Sequence, residues 1–165
     1  MNHRVTAEID GEFVVFVLGM HINRPARIHE WLPVVGAMRP MVKELLRHPE
    51  LGLLHAEQGW MFGGPALVQY WRSYDQLIAY ARNTDAAHVP AWRAFNKAAR
   101  RTDAVGVFHE TYRVAEGTWE TIYSHMPVIG LQKASRGQAV GASSTSATRL
   151  GDRHEDTAPV PVAAG

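Results

Sequence analysis

The stretch Phe13-Val14-Val15-Phe16-Val17-Leu18 carries no polar side chain and is β-branched or aromatic until its last residue, with a turn-prone Asp10-Gly11 just ahead of it. Such a run predicts a strand buried on both faces. The rest of the chain must then supply neighbouring strands and a layer to cover them.

It does so in a recognisable order. Asn23 offers a helix N-cap, Pro25 suits the first turn of a helix, and an apolar pattern continues to Arg47. Pro33 and Pro40 are expected to kink or divide that helix. His48-Pro49-Glu50 ends it, because the residue before proline is pushed out of the helical well. Residues 51–58 resume strand character, 59–65 form a glycine-containing hairpin loop, and 66–71 return as a third strand. Ser73 or Asp75 caps the next helix, over 76–82, and Asn83-Thr84-Asp85 separates it from another over 87–100, with Pro90 near the start. The last strand, 105–114, alternates Val105, Val107, His109 and Thr111 on one side with Phe108, Glu110, Tyr112 and Val114 on the other. Strand, helix, strand, strand, helix, strand is the split βαβ order, so the fold class is α+β and ferredoxin-like.

Residues 119–131 still hold Trp119, Ile122, Tyr123, Met126 and Ile129, enough to pack as an extension or against a partner chain. From Ala134 onward the chain is Ala, Ser, Thr, Gly and Pro with scattered charge and no aromatic residue. That composition cannot repay its ordering entropy, which predicts one domain over 1–133 and a disordered tail over 134–165. A chain of 165 residues has room for one such core.

Several function classes lose support. A net charge of +1 gives nucleic-acid binding no electrostatic basis. The absence of cysteine removes disulfides, zinc–thiolate sites and thiolate-ligated haem. Acidic residues follow the N-terminus where a signal peptide needs an apolar run, and no apolar stretch is long enough to span a bilayer, so a cytoplasmic protein without membrane contact is expected. There is no dinucleotide or Walker fingerprint and no H-E-x-x-H, which leaves flavin, nicotinamide and non-haem metal without a motif.

The remaining candidates are histidines. In helical phase, His88 shares a stripe with Ala91, Trp92, Phe95 and Ala99. An imidazole on an apolar, aromatic face suits a haem iron or a buried proton transfer, and equally a packed core histidine bonded to a carbonyl. His109 and Glu110 are consecutive on a strand and point to opposite faces. His55 and Glu57, two apart, share a face where an acid–base or metal role is possible, as is a solvated hydrogen-bonded pair. Arg24, Arg27, Arg72 and Arg82 offer charge for a carboxylate or haem propionate, and five tryptophans suit a core or a flat hydrophobic pocket.

Residues 13–22, Trp31-Leu32-Pro33, 49–54, Val68-Gln69-Tyr70-Trp71-Arg72-Ser73, 86–95 and His109-Glu110-Thr111-Tyr112 together resemble the monooxygenase-like family of the dimeric α/β barrel superfamily, some members of which are labelled phenylacetaldoxime dehydratase relatives. The resemblance spans roughly the first four-fifths of the chain. It implies a homodimer in which two four-stranded sheets close a barrel, leaving no exposed sheet edge. Tyr70-Trp71-Arg72-Ser73 followed by His88 also looks like haem-containing relatives such as spheroidene monooxygenase. By that likeness His88 is the axial ligand of a haem b, with Trp92, Phe95 and Trp71 walling the cofactor and Gln69, His55 or His109 as the distal group. The expected activity is a haem-dependent monooxygenase or an aldoxime-dehydratase-like lyase on a small hydrophobic substrate. The same fold also accommodates a cofactor-independent oxygenase, in which a histidine deprotonates the substrate, and a non-catalytic binding protein.

Overall fold

The structure, a computed structural model, describes residues 4–82, 100, 102–140 and 144–150. Its centre is a four-stranded antiparallel sheet built from β2 (Phe13–Ile22), β3 (Leu53–Met61), β4 (Gly64–Trp71) and β5 (Val105–Val114), in the spatial order β3-β4-β2-β5. Helix α1 (Ile28–Arg47) links β2 to β3, and α2 (Tyr74–Arg82) follows β4. This order and connectivity make the fold ferredoxin-like, as the pattern predicts. The sheet of the single chain is open, with β3 and β5 as its edges, and is not itself a closed barrel.

Alternation sorts the sheet into two faces. Val14, Phe16, Leu18 and Met20 of β2 lie in register with Trp71, Gln69 and Leu67 of β4 and with Arg113, Thr111, His109 and Val107 of β5. This face receives the helices. Val14, Leu53 and Trp71 pack with Leu45 of α1 and Leu77 of α2, while Val34 meets Met20 and Val105, and Val42 meets Leu67. Each such side chain contributes about 1.5–3 kcal/mol by leaving water.

The opposite face is covered at one end by the chain's own extremities. β1 (Arg4–Glu8) pairs with β6 (Tyr123–Ser124) on one side and β7 (Arg136–Ala139) on the other, forming a three-stranded sheet. Short helix α3 (Leu131–Ala134) precedes β7, and α4 (Ser146–Arg149) lies beyond it. Here Ala7, Phe13 and Leu131 are buried against Val15, Tyr70, Val114 and Trp119, with the Trp119 ring edge-on to Phe13 at 5.2 Å.

Several expectations are corrected. The first helix begins at Ile28, after Arg27, with no side-chain cap. Asn23 instead accepts the Nδ1 proton of His21 at 2.9 Å and donates to the Asp103 carbonyl at 3.1 Å, and Pro25 precedes the helix. Pro33 and Pro40 do not divide α1, which runs through both. The hairpin loop is shorter than 59–65. The strands continue to Met61 and from Gly64, leaving Phe62 (φ 51°) and Gly63 (φ 82°) as a two-residue turn whose left-handed pair matches the strand twist. A side chain at Gly63 would run into the His21 ring, 2.6 Å away. β1 has no counterpart in the sequence reading. The disordered tail expected from residue 134 is corrected over its first part, because 136–139 pairs with β1 from Val5↔Ala139 to Glu8↔Arg136 and an Arg136–Asp10 ion pair reinforces it. Backbone pairing rather than aromatic content orders this stretch. Residues 151–165 of the expected tail, and residues 83–99 that include His88, Trp92 and Phe95, lie outside the described residues.

Candidate active site

The most developed polar arrangement stands on the face away from α1 and α2, and a strand irregularity puts it there. Leu53 is opposite Trp71, yet His55 is opposite Tyr70, so β3 holds one extra residue at Leu54. Without that bulge His55 would face the helices, because a one-residue slip turns every side chain over. With it, His55 and Glu57 share the open face with Tyr70 and Val68.

There His55 Nε2 and Glu57 Oε1 are 2.9 Å apart, and the His55 side chain is only 12% exposed. Glu57 Oε1 also accepts the Gly130 amide at 3.2 Å. The bond from His55, the Gly130 amide and the charge of Lys133 hold the Glu57 carboxyl below the usual carboxylate range, against the opposing effect of burial. An ionised carboxylate only accepts, so Nε2 carries the proton and donates it. The Nδ1 lone pair is thereby left as the basic site, which is how a carboxylate orients a general-base imidazole.

Two phenols complete the cluster. Burial pushes the Tyr70 hydroxyl above its ordinary range, with Tyr123 and Glu57 adding to the effect, while the Leu131 backbone bonds its oxygen. Tyr123 Oη accepts the Gln132 amide at 3.3 Å. A Cβ at Gly130 (φ 59°) would sit 3.4 Å from both hydroxyl oxygens. Neither phenol nor Gly130 was singled out from sequence for this site. The usable signal is Tyr70 itself, a phenol set by alternation on the face opposite the adjacent Gln69 and Trp71.

The other expected site residues do not join this cluster. Gln69 and Trp71 lie on the helix face, where buried Gln69 accepts the Trp71 indole N–H at 2.9 Å. Trp71 is 0% exposed among Val14, Leu45, Leu53 and Leu77, with Tyr80 tilted against it at 5.6 Å. Trp71, expected to wall a cofactor, fills the core of the described residues. His109 is also on the helix face, exposed, with its ring 5.8 Å from that of Phe16. Glu110 faces the other way and accepts the Tyr112 hydroxyl at 2.6 Å. His55 and His109 thus stand on opposite sides of one sheet and serve no common centre. Arg24 and Arg27 are bound to Asp103 rather than left to steer an anion. Among the described residues no group of three or more potential ligands gathers for a metal, and no helix is long and apolar enough to cross a membrane.

A cleft of about 470 Å³ runs between α1 and the edge of β3, lined by Val42, Leu46, Ala56 and Glu57 with Lys43 and Arg47 at its rim. Its apolar walls belong to the helix side of the sheet, and His55 is not among its lining residues.

Residues 13–131 match the family described as Monooxygenase af470-like. Among curated proteins, Monooxygenase af470 of Aspergillus fumigatus is 29% identical over 122 residues, which cover 68% of this chain and 42% of that protein. The chain thus spans less than half the length of this relative. Among solved structures, a conserved protein of unknown function from Bacteroides thetaiotaomicron, described as a possible oxidoreductase, aligns with TM-score 0.43 at 10% identity, over 64% of this chain and 99% of the other. A protein of unknown function from Bacteroides fragilis, described as dimeric and of ferredoxin-like fold, aligns with TM-score 0.40 at 13% identity, over 61% and 96%.

Proposed function

The chain belongs to the Monooxygenase af470-like family, and on that premise we propose that it is an oxygenase for a small hydrophobic substrate bearing an acidic O–H or C–H, with His55 as the general base and Glu57 as its orienting carboxylate. The observation that carries this reading is the 2.9 Å bond between a mostly buried imidazole and a carboxylate fixed by a backbone amide.

The chemistry needs no further reductant. His55 Nδ1 takes a proton from the substrate C–H, and the electron pair left behind goes to dioxygen, forming a carbon–oxygen bond and a peroxide anion. The imidazolium returns its proton to the terminal oxygen; where the carbon was a CH2, loss of its second hydrogen as a proton breaks the O–O bond, and the departing hydroxide takes that proton up as water, leaving a carbonyl. One oxygen atom enters the product and the other leaves as water.

Haem is the competing reading, implied by the likeness of His88. His88, Trp92 and Phe95 lie outside the described residues; of the other residues named for that reading, Trp71 is sealed in the core and the amide oxygen of Gln69 is taken by the Trp71 indole. The homodimer belongs to the proposal too, with a second copy on the part of the open face beyond β1, near exposed Phe62 and its stacking partner Phe108.

The test uses 4-nitrophenol, whose phenolate is coloured. In mildly acid buffer the wild type is expected to raise the ionised fraction of the bound probe, and His55→Ala and Glu57→Gln to abolish that rise. An equal rise in His55→Ala overturns the assignment. A Soret band on haemin addition that disappears in His88→Ala transfers the function to haem. Sedimentation as a concentration-independent monomer removes the dimer.

A further inference from the structure

Successive backbone groups of one segment, at Gly130, Leu131 and Gln132, meet side chains from three strands. Gly130 donates to Glu57 of β3 and Gln132 to Tyr123 of β6, while the Leu131 backbone bonds Tyr70 of β4. Residues 125–135 are thereby fastened across the open face. α3 packs against β3, and Leu131 is 6% exposed. Left-handed backbone marks two points of this segment, His125 (φ 55°) and Gly130 (φ 59°). Its outward side carries Met126 (54% exposed) and Val128 (57% exposed).

Glu57 therefore has two tasks at one oxygen: Oε1 receives both the His55 imidazole and the Gly130 amide. We infer that residues 125–135 form a strap latched to the sheet through Glu57, and that release of the strap uncovers His55 for substrate. This deepens the reading of His55 as a base, and its latch is testable without any substrate. Four titratable groups face the Glu57 carboxylate: His55 from its own strand, Tyr70 from β4, Tyr123 from β6 and Lys133 from α3. Protonating Glu57 removes a charge-assisted acceptor and loosens the strap.

Hydrogen exchange on the full chain reads the latch. In Glu57→Gln, exchange at Gly130, Leu131 and Gln132 is expected to rise about tenfold while Val17 and Leu67 in the main sheet stay unchanged. Tyr123→Phe releases the strap from its other side and leaves the His55–Glu57 bond intact. In that variant the same amides exchange faster, and carbethoxylation of His55, followed by peptide mass, accelerates relative to exposed His21 and His48. Unchanged exchange at 130–132 in both variants overturns the latch, as does a uniform rise through the sheet. Unchanged His55 modification in a Tyr123→Phe protein whose strap amides are released shows that the strap does not cover the imidazole. If the 4-nitrophenol test fails while these exchange results hold, the base assignment falls and the latch stands.

Discussion

The two faces of the central sheet are built from the same four strands yet solve different problems. The helix face holds an apolar core under α1 and α2, where Trp71, Met20 and Val34 are essentially without exposure and the one buried polar side chain among the described residues, Gln69, is satisfied by the neighbouring indole, while its β5 edge carries exposed His109, Thr111 and Arg113. The open face holds the titratable cluster of His55, Glu57, Tyr70 and Tyr123, fastened to chain segments that arrive late in the sequence. One face supplies stability and the other supplies groups whose protonation matters. The bulge at Leu54 decides to which of the two His55 belongs.

Mutations at the two faces should therefore fail in different ways. The largest effect is expected from Trp71→Ala, which empties the helix-side core and costs about 3–5 kcal/mol in denaturant unfolding. A loss below that of an open-face truncation contradicts the division. Leu131→Ala on the open face is expected to cost about 2–3 kcal/mol and to release the three-stranded sheet first, visible as faster exchange in β1 and β7 before β2 and β4. Gln69→Leu leaves the Trp71 indole N–H buried without an acceptor and costs about 1–3 kcal/mol without affecting the strap.

Acid sharpens the comparison further. The Glu57 carboxyl lies below its unfolded value in the folded chain, so its contribution is complete above the unfolded value and is lost as pH falls through the lower, folded one. The stability difference between wild type and Glu57→Gln should vanish over that window, whereas the cost of Trp71→Ala should not change with pH. The smallest effect is expected at the hairpin tip, where Phe62 takes φ 51°. Phe62→Gly relieves that backbone by about 0.5–1 kcal/mol and gives up the edge contact with Phe108, so the net thermal shift should be small.

The helix face was the legible one. Hydrophobic periodicity located β2, β4, β5 and both described main helices, and of the two cap candidates, Ser73 and Asp75, it is Ser73 whose Oγ accepts the Gln76 amide. Alternation also placed His109 and Glu110 on opposite faces and His55 with Glu57. What sequence did not carry was long-range pairing. β1 is a short mixed segment that becomes a strand only because 123–124 and 136–139 flank it. The tail looked unable to order itself because composition measures apolar area, whereas β7 is held by backbone bonds and an ion pair. The bulge at Leu54 has no local signature, so the side of the sheet reached by His55 was unreadable. No local pattern around Gly130 points its amide to Glu57, 73 residues earlier in the chain.

The pairing of β1 with β7 also sets a timetable for a chain made from its N-terminus. Every strand of the central sheet has emerged once Val114 is made, but Val5 cannot meet Ala139 until the whole intervening chain has been produced. Closing a loop of that length adds little equilibrium penalty, because the entropy grows only with the logarithm of length, yet such non-local contacts are slow to form. During synthesis the face that carries His55 and Tyr70 therefore waits bare beside a completed helix-side core, and that interval is when a chaperone or a second nascent chain has access to it.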